Sequence, residues 1–271
     1  MNMKEAEMAT ARLLEVMDTL RRECPWDREQ TFDSLRNNTI EETYELADAI
    51  TDKNMEGIKE ELGDLLLHVV FYSKMGEEQG AFNYTDVANG VCDKLIYRHP
   101  HVYGDIHADT PDEVKQNWEA LKLRKKSRKN GALGGVPVSL PAMVKAYRIG
   151  EKAAAVGFDW QKREDVWDKV KEELGEYQAE LDAMASSDSE DDRKAAYDRA
   201  EDELGDFLFA TVNAARLYGL NPDTALERTC AKFRRRFTYL EEQTIRKGRN
   251  LKDMTLAEMD AIWDEGKAKG L

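Results

Sequence analysis

The stretch Glu41–Asp64, EETYELADAITDKNMEGIKEELGD, carries two acidic groups, Glu41-Glu42-x-x-Glu45 and Glu60-Glu61-x-x-Asp64, separated by the short polar segment TDKNMEG. Residues three and four apart are neighbours on a helix, and like charges placed so repel. At about 100° per residue, Glu42 and Glu45 lie roughly 60° apart and Glu41 and Glu45 roughly 40° apart, so each group lines one narrow face. Two helices packed antiparallel across a short connection bring such faces together. Several carboxylates facing one another stay ionised together only where cations sit among them. A single acidic triplet is ordinarily a solvated helix face. A pair on adjoining helices asks for another reason.

The pattern returns further along the chain. EELGE holds Glu172-Glu173-x-x-Glu176, and DELGD holds Asp202-Glu203-x-x-Asp206. Cys92-x-Lys94-x-x-x-Arg98 is answered by Cys230-x-Lys232-x-x-x-Arg236, and Trp118-x-x-x-Lys122 by Trp263-x-x-x-Lys267. Order is kept while spacing drifts by a few residues, as a duplication with altered loops would leave it. Between the copies, KKSRKNGALGGVPVSLP (residues 125–141) gathers a basic run, glycines and prolines that stop helices. The expected division is a domain at 1–124, a linker at 125–141 and a related domain at 142–271. A second polar stretch, ASSDSEDDRKAA (185–196), reads as an exposed loop between helices.

Helical periodicity dominates. Ile58, Leu62, Leu65, Leu66, Val69 and Val70 recur at three- and four-residue intervals, and Leu204, Phe207, Leu208, Thr211 and Val212 repeat the stripe. Strand-like alternation is scarce, so the fold class expected is all-α. The 271 residues carry 54 acidic and 40 basic side chains, a formal net charge of -14. That balance argues against a general grip on nucleic acid, where Lys and Arg must neutralise phosphates. Three cysteines without a CxxC make a thiolate zinc site or a disulfide framework a poor reading and fit a reducing cytosol. The amphipathic, charged N-terminus reads as a helix rather than a signal peptide, and no apolar run spans a bilayer.

Carboxylate oxygens without cysteine or histidine partners suit hard cations such as Mg²⁺ or Mn²⁺. A di-iron bundle would place histidine three residues after glutamate, which none of His68, His99, His101 and His107 satisfies. Gly63, Gly175 and Gly205 sit within the helical acidic motifs, where glycine costs about 1 kcal/mol relative to alanine. Close helix approach beside the cation site is the expected return. Lys232 with Arg236, Lys94 with Arg98, and Trp263 with Lys267 are helical i, i+4 pairs. Beside a carboxylate-held cation, such cations suit a phosphorylated ligand, and a tryptophan suits a nucleobase. The chain has no GxxxxGK[ST], which sets aside a P-loop NTPase, and no GxSxG for acyl transfer.

Together with CPWDREQTF, ELGDLLLHVVFY, LPAMVKAYRIGEKAAAVGFDW and KFRRRF, the paired EExxE and ExxD motifs resemble the MazG family of nucleoside triphosphate pyrophosphohydrolases across nearly the whole chain. The resemblance implies two tandem helical-bundle domains, a homodimer with interlaced helices, and Mg²⁺-dependent hydrolysis of an NTP or dNTP to the monophosphate and pyrophosphate by metal-activated water attacking the α-phosphorus. It implies Glu173, Glu176, Glu203 and Asp206 as metal ligands, with Glu42, Glu45, Glu61 and Asp64 as their counterparts. Glu172 would orient or deprotonate the water. Lys169, Lys232, Arg236, Lys267 and Arg199 would contact the triphosphate and Trp263 the base, with Lys94, Arg98, Trp118 and Lys122 in the first half. That half has Asn38 where Lys169 stands and Gly57 where Arg199 stands, so the second half is expected to be the main catalytic centre. The alternative is a non-catalytic helical protein that binds metal and nucleotide as a regulator.

Overall fold

The structure, a computed structural model, describes residues 2–110, 113–114, 118, 131–187, 189–246 and 248–271. Helices and their connections account for it, and there is no strand among the described residues. No helix among them is long and apolar enough to cross a membrane. The chain divides into two compact units, Met1–Trp118 and Glu119–Leu271.

In the first unit, α1 (Met3–Glu23), the short α2 (Pro25–Glu29), α3 (Phe32–Thr51), α4 (Met55–Glu78), α5 (Tyr84–Arg98) and the single turn α6 (Pro100–Tyr103) follow one another. The start of α3 is specified locally by a capping box in which Thr31 and Ser34 satisfy each other's backbone N–H groups. Asn54 caps α4 by accepting from the Gly57 N–H at 3.1 Å. The turn between them is therefore only Asp52–Asn54, tighter than the expected TDKNMEG connection, and Lys53 takes a φ of 55° to make it. A turn this short makes α3 and α4 an antiparallel hairpin. Its core is Met17, Leu35, Val70, Phe71 and Met75, each stabilising by about 1.5–3 kcal/mol through removal from water. The expected apolar stripe of α4 splits. Val70 is buried, whereas Leu62, Leu66 and Val69 stay 53%, 45% and 42% exposed, because the stripe is wider than the face that α1 and α3 cover.

The second unit contains α7 (Ala142–Ala154), α8 (Val166–Ala185), α9 (Glu190–Leu217), α10 (Pro222–Arg246) and α11 (Leu256–Ala268). Helices α8 and α9 form the same kind of hairpin around Val166, Val170, Ala210 and Ala214. The polar stretch at 185–196 is only half a loop. Ser189 caps α9 by accepting from the Asp192 N–H at 3.0 Å, and Glu190, Asp191 and Asp192 lie in the first turn, where negative charge favours a helix. Helix α7 crosses α9 at Gly150, whose absent Cβ would lie 2.9 Å from Asn213 Oδ1 and 3.0 Å from Arg216 Nε. Arg216 donates to Asn213 and pairs with Asp159 at 2.6 Å, which ties the GFDW segment to α9.

The glycines of the acidic motifs do not serve close approach. A Cβ on Gly63, Gly175 or Gly205 would meet nothing within 4 Å. Close packing falls instead at glycines outside those motifs: Gly57 at the foot of α4, Gly76 near its end, and Gly150.

Candidate active site

In the second unit, α8 presents Glu172, Glu173 and Glu176 and α9 presents Glu203 and Asp206. Two sets of carboxylate oxygens, from Glu172, Glu173 and Glu176 and from Glu173, Glu203 and Asp206, each lie within 4.8 Å of one another. Glu173 belongs to both and is 6% exposed. Lys169, one turn earlier on α8, reaches Glu172 at 2.8 Å and Glu173 at 2.5 Å. These bonds, Glu172 first, hold its ammonium above the usual lysine range. Glu203 is pushed up from the ordinary carboxylate range by burial first and then by the charges of Glu176, Asp206, Glu173 and Glu180. One lysine thus leaves a residual excess of negative charge.

The first unit builds the same arrangement without that lysine. Glu42, Glu45 and Glu61 bring oxygens within 4.8 Å of one another, and Asp64 acts on Glu42 across the hairpin. Burial, then Asp64, Glu45 and Glu41, push Glu42 up. Burial, then Glu45 and Glu42, do the same to Glu61. In both units the donor set is all carboxylate oxygen and short of positive charge. That chemistry fits a hard divalent cation and would fit a thiophilic one poorly.

Behind the first cluster lies a polar network that sequence reasoning missed. His68 is 7% exposed, and its Nδ1 lies 2.6 Å from the Thr39 hydroxyl, which donates to the Leu35 carbonyl at 3.0 Å and lies 2.6 Å from the Tyr72 hydroxyl. Burial pushes His68 below its usual range, with Asp64 opposing. At the matching places the second unit has Val170, Ala210 and Ala214, three of its core residues. The one available signal was a histidine four residues after Asp64, on the same helix face.

The cations form a separate group on α10 and α11. Arg236 donates from Nε to the Leu271 carbonyl at 2.7 Å and lies 5.9 Å from the Trp263 ring centre. Trp263 packs at 5.0 Å from Phe233, which stacks on Phe237. Lys267 pairs with Asp264 at 3.1 Å, and Lys232 is exposed. Helix α10 packs against both α9 and α11, so the acidic and cationic groups share one unit although different helix pairs carry them. In the first unit Lys94 is exposed on α5, which packs on α4, and Arg98 lies 5.7 Å from the Trp118 ring centre. Lys122 lies outside the described residues. Arg199 stands one turn before Glu203 and pairs with Glu180 at 2.9 Å. Glu180 was not anticipated, although it follows Glu176 by four residues on the same face.

An all-α chain with two acidic hairpins, each followed by a Lys/Arg pair and a tryptophan, defines a class of helical nucleotide-handling proteins. The chain belongs to the MazG nucleotide pyrophosphohydrolase family: the family's domain model matches twice, over residues 30–103 and 161–240. Each match spans one acidic hairpin. Among individual relatives, the nucleoside triphosphate pyrophosphohydrolase of Escherichia coli (strain K12) is 41% identical over 263 residues, covering 94% of this chain and 96% of that protein. A Thermotoga maritima protein named nucleoside triphosphate pyrophosphohydrolase/pyrophosphatase MazG is 40% identical over 271 residues, covering 99% and 98%.

Proposed function

We propose that this protein is a nucleoside triphosphate pyrophosphohydrolase that converts an NTP or dNTP to the monophosphate and pyrophosphate, with its second unit as the main catalytic centre. The observation that carries this reading is the carboxylate layer of the α8–α9 hairpin, where Glu173 joins two sets of oxygen donors beside a lysine.

In this reading Glu173, Glu176, Glu203 and Asp206 hold Mg²⁺, with Mn²⁺ as a substitute. When bound, the cation supplies charge neutralisation at phosphate oxygens and eases deprotonation of water. The chain's own groups do the rest. Lys169 neutralises Glu172 and Glu173 in the resting protein. With a cation held by those acids, its ammonium would be available to a phosphate oxygen. Glu172, exposed at the edge of the cluster, then offers Oε1 as acceptor for the proton of the water that attacks the α-phosphorus. Arg199, Lys232, Arg236 and Lys267 compensate the charge of departing pyrophosphate, each charge-assisted contact contributing about 1.5–3 kcal/mol. Trp263, beside Arg236, faces the base.

The first unit keeps Glu42, Glu45, Glu61 and Asp64, with Lys94, Arg98 and Trp118. It lacks counterparts of Lys169 and Arg199, which favours binding without turnover there. The exposed stripe of Leu62, Leu66 and Val69 supports a second copy of the chain as partner, in a homodimer with interlaced helices working in the cytoplasm.

The test is product analysis on a panel of NTPs and dNTPs with Mg²⁺, comparing the parental protein with Glu173→Ala and Glu42→Ala. Monophosphate plus pyrophosphate, abolished by Glu173→Ala and retained by Glu42→Ala, is expected. Diphosphate plus orthophosphate would overturn the site of attack, and loss of turnover in Glu42→Ala alone would overturn the choice of unit.

A further inference from the structure

The register of the α8–α9 hairpin can be followed one turn at a time. Glu173 meets Asp206 and Glu203, and Glu176 lies next to Glu203. The next step brings Glu180 opposite Arg199, with Arg199 Nε donating to Glu180 Oε2 at 2.9 Å. The α3–α4 hairpin runs in the same register. Glu42 meets Asp64 and Glu61, Glu45 meets Glu61, and the next step brings Ala49 opposite Gly57. There a Cβ on Gly57 would lie 3.3 Å from the Ala49 Cβ. The charged pair of one unit is thus replaced as a pair in the other, by two small residues in contact.

An arginine side chain is long, and ordering it for a ligand opposes binding through lost rotamer entropy. A fixed acceptor on Nε lowers that cost and leaves the other donors of the guanidinium fork for a second anion. Arg199 is placed for this: one of its five N–H donors goes to Glu180, and its side chain is still 53% exposed while Glu180 is 25% exposed. Arg236 is held in the same manner, by Nε to the Leu271 carbonyl. Glu180 also stands close enough to the carboxylate layer to act on Glu203, so the guanidinium it holds lies at the edge of that layer.

We propose that Glu180 is a positioning residue of the second unit, holding Arg199 by Nε so that its remaining donors meet the phosphate chain of the substrate. The Ala49–Gly57 contact marks the first unit as lacking this clamp. The proposal rests on the assignment of Arg199 as a phosphate contact, and the test separates the two.

Steady-state kinetics of pyrophosphate release, with one dNTP and saturating Mg²⁺, are measured for Glu180→Ala, Glu180→Gln, Glu180→Asp, Arg199→Ala and the double variant Glu180→Ala/Arg199→Ala. Loss of a pre-held charge-assisted contact is expected to raise KM about 5- to 20-fold in Glu180→Ala while kcat stays within about 3-fold. Glu180→Asp is expected to recover most of the loss, and the double variant to be no worse than Arg199→Ala alone. A merely structural ion pair at this exposure would move the Tm slightly without moving KM. If Arg199→Ala raises KM while Glu180→Ala leaves it unchanged, the positioning role is overturned and the phosphate contact stands. If Arg199→Ala leaves KM unchanged, the assignment of Arg199 falls, and this proposal with it. Should Glu180→Ala fail to fold, Glu180→Gln, which keeps the shape and loses the charge, gives the same comparison.

Discussion

Replacing Glu173 by glutamine perturbs the one carboxylate that belongs to both donor sets of the second unit. Without metal, two effects oppose each other. The change removes a negative charge from among Glu172, Glu176, Glu203 and Asp206, and it also takes from Lys169 its 2.5 Å partner. The metal-free Tm should therefore shift by less than about 2 °C, since ~1 kcal/mol moves a domain of this size by about 2–4 °C. With Mg²⁺ the balance differs. At a free concentration about 100 times Kd, binding to the native state adds about 2.7 kcal/mol, or roughly 5–11 °C. One lost charged ligand, at about 1.5–3 kcal/mol, weakens binding about 10- to 160-fold. At the same Mg²⁺ the gain then falls to about 1.4 kcal/mol or less. The assay is thermal unfolding of the parental protein and Glu173→Gln, in chelator and in Mg²⁺, beside pyrophosphate release. An equal Mg²⁺-induced rise in both proteins, with turnover retained, would refute the assignment of this hairpin as the cation site.

Lys169→Met leaves Glu172 and Glu173 without their counterion, so the metal-free Tm should fall, the Mg²⁺-induced rise should exceed the parental one, and KM should increase; an unchanged metal-free Tm in chelator would count against the counterion role. The raised carboxyls of Glu203, Glu42 and Glu61 contribute stability that is complete below the ordinary carboxylate range and is lost as pH rises through their raised values. In chelator the contribution of these groups to the Tm should therefore grow as pH falls from neutral towards the ordinary carboxylate range, and Glu203→Gln should diminish that pH dependence. Glu258 has the opposite sign, because Arg249 first and Thr255 next hold it down at about 2. Its contribution is present above the ordinary carboxylate range and is lost as pH falls towards 2, so Glu258→Gln should diminish the acid-side loss followed by circular dichroism. At Gly57 an added Cβ would lie 2.6 Å from the Asn54 side chain that caps α4. Gly57→Ala should therefore cost about 0.5–2 kcal/mol in the first unit by displacing that cap, read as a lowered unfolding transition with pyrophosphate release by the second unit intact.

Much of this protein is local in origin and so was open to a reader of the chain alone. Helix type, the facing of acids three and four apart, and the order of acid pair, Lys/Arg pair and tryptophan all depend on spacing within a few turns. Glu203 and Asp206 share one face of α9, and Glu172, Glu173 and Glu176 gather on α8, as that spacing requires. The cap at Ser189 was just as local, yet the small polar residues around it read as loop, because serine and aspartate favour turns and helix starts alike.

What the chain alone could not show depends on partners far apart in sequence. Gly63, Gly175 and Gly205 face open space, while Gly57 and Gly150 sit where helices come close, because approach between helices follows from how they cross and not from composition. The buried Thr39–His68–Tyr72 network of one hairpin, and its apolar replacement by Val170, Ala210 and Ala214 in the other, appear only once the two hairpins are compared step by step. The same holds for Glu180 opposite Arg199 and Ala49 opposite Gly57. Periodicity determines which face of a helix a side chain occupies, whereas the antiparallel register, set by the length of the turn and the packing of the core, determines what that side chain meets.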